Sequence, residues 1–159
     1  MHSARKLIGL PVVIADSADT ASAIVGVIES VTIHPETLQV DGFLVGRAGH
    51  SQQQAFLPRE CVIEVNDEAV FIHNRLCPSN RSRRILGLSA WTTTPRVLVG
   101  FVHDLSFSIG SGLIEFFVVN QFVRKWHVPP QSVERITPKA LLISRDATVK
   151  LKLTPFPEV

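Results

Sequence analysis

Apolar and polar residues alternate through much of the chain. Val25, Val27, Val31 and Ile33 alternate with Gly26, Ile28, Ser30 and Thr32. Further on, Val97, Val99, Phe101, Leu105 and Phe107 alternate with Gly100, Val102, Asp104, Ser106 and Ser108. A period of two held over about ten residues predicts one long, half-buried, bent strand in each place. The spacing predicts strands over 11–14, 24–33, 38–45, 54–57 and 69–72, and again over 89–92, 98–108, 112–119, 122–128 and 140–143. Segments 59–64 and 130–135 each follow a proline and suit one short helical turn. No long segment carries a 3.6-residue period, so the expected class is all-β.

The strand pattern is written twice. At an offset of 78, Arg5-Lys6-Leu7-Ile8-Gly9-Leu10 overlays Arg83-Arg84-Ile85-Leu86-Gly87-Leu88. At 74, Ile24-Val25-Gly26-Val27 overlays Leu98-Val99-Gly100-Phe101, and the register holds to Val45 on Val119. At 71, Leu57-Pro58 overlays Val128-Pro129, and Ala69-Val70-Phe71-Ile72 overlays Ala140-Leu141-Leu142-Ile143. Both losses of register fall in polar sequence, where loops accept changes of length. The aligned Gly26 and Gly100 fit a tightly curled strand, where a side chain would obstruct closure or a neighbouring backbone. The division expected is a first unit over 1–73, an arginine-rich linker over 74–84, and a second unit over 85–159 with a C-terminal extension. In that extension Val149, Leu151 and Leu153 alternate with Lys150 and Lys152, the pattern of a lysine-guarded edge strand.

Charge sharpens the division. The chain has 159 residues and a net charge of +2. Residues 1–73 carry −5, residues 74–84 carry +4 from Arg75, Arg81, Arg83 and Arg84, and residues 85–159 carry +3. Apolar residues make up 45%, enough for a packed core. No apolar run approaches the roughly 18 residues of a membrane helix, and the opening Met1-His2-Ser3-Ala4-Arg5-Lys6 lacks the apolar stretch of a secretory signal. A cytoplasmic location is the expectation. Cys61 and Cys77 read as thiols, and the six histidines are scattered singly, so neither a metal nor another cofactor is expected.

Together these residues resemble the PRC-barrel family. The first copy carries Lys6-Leu7-Ile8-Gly9-Leu10-Pro11-Val12-Val13, Ile24-Val25-Gly26-Val27-Ile28-Glu29, Phe56-Leu57-Pro58 and Ala69-Val70-Phe71-Ile72. The second repeats it with Arg84-Ile85-Leu86-Gly87, Val99-Gly100-Phe101-Val102-His103-Asp104, Val128-Pro129 and Ala140-Leu141-Leu142-Ile143. The family is commonly acidic at the Asp104 position; Ser30 stands there in the first copy. The resemblance implies two tandem small β-barrels of five to six strands each. They would be related to the cytoplasmic domain of the photosynthetic reaction-centre H subunit and to the C-terminal domain of ribosome maturation factors. It implies no catalytic motif.

Candidate chemistry is sparse. Glu29 and His103 share an equivalent position on the more apolar face of the long strand, as pocket groups or as residues where the strand turns. His103-Asp104 has no nucleophile at any recognisable spacing, and Trp91, aligned with Val13, reads as core. Arg124-Lys125-Trp126-His127 interleaves cations with an aromatic and suits either a stacked base with its phosphate or a strand whose Trp126 fills the core. Arg75, Arg81, Arg83 and Arg84 suit an acidic protein surface, a phosphate backbone, or the acidic first unit of this same molecule or a second copy. The expected role is a non-catalytic protein-binding scaffold or assembly adaptor, for a photosynthetic or another multiprotein complex. The alternative is an RNA- or ribosome-associated protein using the arginine-rich linker and the basic second unit. Contacts would come from Arg75, Arg81, Arg83, Arg84, Arg124, Lys125 and Trp126; a ligand cleft between the units stays open.

Overall fold

A computed structural model describes residues 1–15, 24–47, 54–73, 77–78, 83–93, 95–122 and 124–144. The expected tail strand around Val149, Leu151 and Leu153 lies outside them. Strands make up most of the described chain. It begins with β1 (His2–Ser3), a single helical turn α1 (Ala4–Leu7), β2 (Pro11–Ile14), β3 (Ile24–Ile33), β4 (Val40–Arg47) and β5 (Gln54–Pro58). After a 3-10 turn at Arg59–Cys61 come β6 (Val62–Val65), β7 (Val70–Ile72), β8 (Cys77–Pro78) and β9 (Arg83–Arg84). The pattern then repeats as β10 (Ser89–Thr92), β11 (Leu98–Phe107), β12 (Ile114–Gln121) and β13 (Arg124–Val128), a 3-10 turn at Pro130–Ser132, β14 (Val133–Ile136) and β15 (Ala140–Ile143).

The strands form two sheets of the same order. One runs β6-β7-β2-β3-β4-β5-β8, the other β14-β15-β10-β11-β12-β13. In each, the first long hairpin is antiparallel, and the strand before it pairs in parallel with the last strand of its unit. Among the described residues no pairing joins the two ends of either sheet, so neither closes through hydrogen bonds. The local details match as well. Gly9 and Gly87 both have φ of +92°, and their amides bond to Ile28 and Val102 at 2.8 Å. Leu38 (φ +57°) and Gly112 (φ +76°) close equivalent turns. Matching bulges interrupt β3 between Ile28 and Ser30 and β11 between Val102 and Asp104.

Those bulges correct the face assignment. One extra residue switches which side chains point inward. Before the bulge Ile28 and Val102 are buried, while Val27 and Phe101 are 42% and 53% exposed. After it Val31, Ile33, Leu105 and Phe107 are buried as expected. The 59–64 and 130–135 segments are helical only for three residues each and then become β6 and β14.

Short strands pair the two halves with each other. β1 pairs with the end of β11, Ser3 opposite Ser106, and β9 pairs with the end of β3, Arg84 opposite Thr32. Each half thus lends its opening strand to the long strand of the other. Phe43 and Phe107 meet at the seam with ring centroids 6.2 Å apart, inside one continuous buried cluster drawn from both sheets. Arg59 donates from Nε to the Val40 carbonyl at 3.1 Å and from Nη1 to the carbonyls of Ile109 (3.0 Å) and Gly110 (2.7 Å). No helix among the described residues is long and apolar enough to cross a membrane.

Candidate functional site

Because the two sheets share a plan, positions where their outer faces differ are not dictated by the fold. The bulge residues are the clearest case. Glu29 and His103 are each the extra residue that forces the phase switch, so both lie on the rim of the bend rather than in an interior pocket. Glu29 accepts a hydrogen bond from the Gln54 amide, whose oxygen accepts one from the Arg84 guanidinium. A Cβ on Gly46 would overlap the Glu29 carboxylate, so glycine there lets the side chain lie across β4. One arginine of the basic cluster therefore lies on the acidic half of its own molecule. Arg83 belongs to β9, whereas Arg75 and Arg81 lie outside the described residues.

The second sheet is built differently at every one of these positions. Asn120 replaces Gly46, Lys125 replaces Gln54 and His103 replaces Glu29. Strand register sets Ser89, Phe101, Asn120 and Lys125 in one row across four strands. Beside that row the Arg96 guanidinium sits 5.4 Å from the centre of the Trp91 ring, and Trp91 Nε1 donates to Ser89 Oγ at 2.9 Å. Ala90 and Thr92 face inward, which turns Trp91 to the outer face instead of the core expected for it. The adjoining hairpin tip presents Phe122, 97% exposed at a φ of +52°. That conformation costs a non-glycine residue free energy and exposes an aromatic ring, which folding alone does not reward.

His103 stays below the usual histidine pKa. Partial burial is the main cause, the positive charges of Arg5 and Lys125 add to it, and Asp104 opposes them. Asp104 itself acts as a clamp. Its carboxylate accepts from Ser3 Oγ (2.5 Å), the Arg5 amide (3.0 Å) and the Leu105 amide (2.8 Å), while Arg5 Nε donates to the His103 carbonyl at 2.8 Å. These bonds hold the N-terminal segment across β11.

The proposed contact residues separate by face. Arg124 and Lys125 are exposed, but Trp126 is only 9% exposed and packs in the core opposite Val119. It cannot stack a base from solvent. Sequence reasoning missed Trp91, Arg96, Phe101 and Phe122 as surface groups and Arg59 as the waist clamp; the only available signal was the departure of each from its repeat partner. A cavity of about 500 Å³ opens within the first half, lined in part by His2, Lys6, Leu10, Val65 and Asp67. It gathers the polar side chains of His2, Ser3, Lys6, Asn66 and Asp67 with the apolar ones of Leu7, Leu10 and Val65. No protein-family model matches the chain, and no curated protein matches it.

Proposed function

We propose that the protein is a non-catalytic protein-binding adaptor built from two curled modules of the PRC-barrel kind. The shared strand order, the paired bulges and the close backbone approaches at Gly26 and Gly100 support the modular reading. The observation that carries the function is the divergence of two otherwise matched outer faces. The first lays its own Glu29–Gln54–Arg84 chain beside a half-exposed Val27; the second sets the larger, half-exposed Phe101 beside Trp91, Arg96, Asn120 and Lys125. Aromatic and arginine side chains that fold stability does not require are the usual anchors of protein interfaces. The cations favour a partner with an acidic contact surface.

Affinity capture from the native host tests this, comparing the natural chain with Phe101→Ser and Trp91→Ser. Both variants should keep the melting profile and lose the captured protein. Equal capture by all three would move the binding surface elsewhere, and capture of nucleic acid alone would replace the adaptor reading with the RNA-associated one.

A further inference from the structure

The charge asymmetry read along the chain becomes two separated patches on the folded molecule. The acidic patch is the edge strand β6 with the turns on either side of it: Glu60, Ile63, Glu64, Asp67 and Glu68 are all exposed, and Ile63 is the bulged residue of that edge. Glu60 has an ion-pair partner in Arg59 at 3.7 Å, whereas Glu64, Asp67 and Glu68 have none among the described residues. The cationic patch is the far end of the second sheet: Arg96, Val97, Phe101, Phe122, Arg124 and Lys125, all exposed. Arg124 and Lys125 likewise lack an ion-pair partner among the described residues.

The two patches cannot neutralise each other within one chain. The halves meet at the opening residues of β12, where the Val40 amide bonds to Gly112. The cationic patch surrounds the opposite end of that eight-residue strand, about 26 Å away at the usual rise per residue. The acidic edge follows directly from Arg59, which grips the seam. One patch is at the waist and the other at the tip.

We propose that the acidic β6 edge of one molecule receives the cationic tip of a second, so that the chain self-associates head to tail. The proposal does not depend on the adaptor reading. Each patch sets exposed apolar residues among charges mostly of one sign, Arg59 beside Glu60 and Lys6 in the cavity with Asp67 being the exceptions, so the contact unites charge attraction with apolar burial. The surfaces are small, which places the contact among weak and reversible interfaces. Because the two surfaces differ, the contact is heterologous, and one molecule leaves a free patch of each sign for the next. The expected product is a ladder of oligomers growing with concentration, not a closed dimer.

Sedimentation equilibrium of the full chain tests this at about 10 mM and about 1 M salt, where the screening length falls from about 30 Å to about 3 Å. Mean mass should rise with concentration at low salt and fall to the monomer at high salt. The double variant R124E/K125E should weaken association by about tenfold or more, as should E64K/E68K. Mixing the two variants must restore association, because the acidic edge and acidic tip of one then face the cationic tip and basic edge of the other. A monomer at every concentration, a mass that stops at the dimer for the natural chain, or variants that do not rescue each other would overturn the proposal. Circular dichroism of each variant confirms that the fold is intact, since all four positions are exposed.

Discussion

At the scale of single residues, the repeat assigns roles by contrast. Asp104 accepts three hydrogen bonds, two of which bind the N-terminal segment to β11, and among the described residues the hydroxyl of its counterpart Ser30 bonds to the neighbouring Val31 carbonyl at 3.5 Å. Removing a carboxylate that satisfies two backbone amides leaves those donors to water, at about 1–3 kcal/mol in total. Asp104→Ala should lower the free energy of unfolding by about that amount in urea titration, and amide exchange at Ser106 should accelerate. Ser30→Ala should change little. Gly26 and Gly100 answer a different demand: a Cβ on either would overlap a carbonyl oxygen, that of Gly46 or of Asn120. Alanine at either position must push two paired strands apart. A loss of about 1–3 kcal/mol is expected for each in chemical denaturation; stability equal to the natural protein would mean the strands are not so closely set.

At the scale of elements, legibility followed length. Ser89–Thr92, Ala140–Ile143, Pro11–Ile14 and Ile24–Ile33 were readable to the residue because the repeat sets each against a second copy, with period two adding to it at Ile24–Ile33. The face of β3 and β11 was not, because a single-residue bulge reverses the side chains without altering composition. For the same reason Phe101 read as core and became surface. The two-residue strands β1 and β9 are too short to carry any pattern, yet they decide how the halves meet. Arg59 was equally silent, since its partners are backbone carbonyls up to 51 positions away and a carbonyl leaves no mark on sequence. Arg59→Met keeps the aliphatic stem while abandoning three bonds from a charged donor. About 2–3 kcal/mol of stability should disappear, with faster exchange at the Val40 amide that faces Gly112 across the seam.

At the scale of the whole molecule, the exchanged strands and the common core make two sheets one cooperative unit. Calorimetry should therefore show one transition whose van't Hoff and calorimetric enthalpies agree, and Phe107→Ala, worth about 3–5 kcal/mol, should shift that transition without splitting it. Proton linkage acts on the same unit. His2, His103 and His127 are all held below the usual histidine pKa, chiefly by burial, with the terminal ammonium acting also on His2, and Arg5 and Lys125 also on His103; Glu115 works against the shift at His127. As pH falls through about 6.5 the unfolded chain takes up protons that the folded chain still refuses. The unfolded state then binds more protons, so stability must fall with pH until the folded histidines titrate in turn. The urea midpoint should drop between about pH 7.5 and about pH 5.5, and His103→Gln should flatten part of that slope. A midpoint that rises on acidification would mean these imidazoles gain a negative partner in the fold rather than losing water to it.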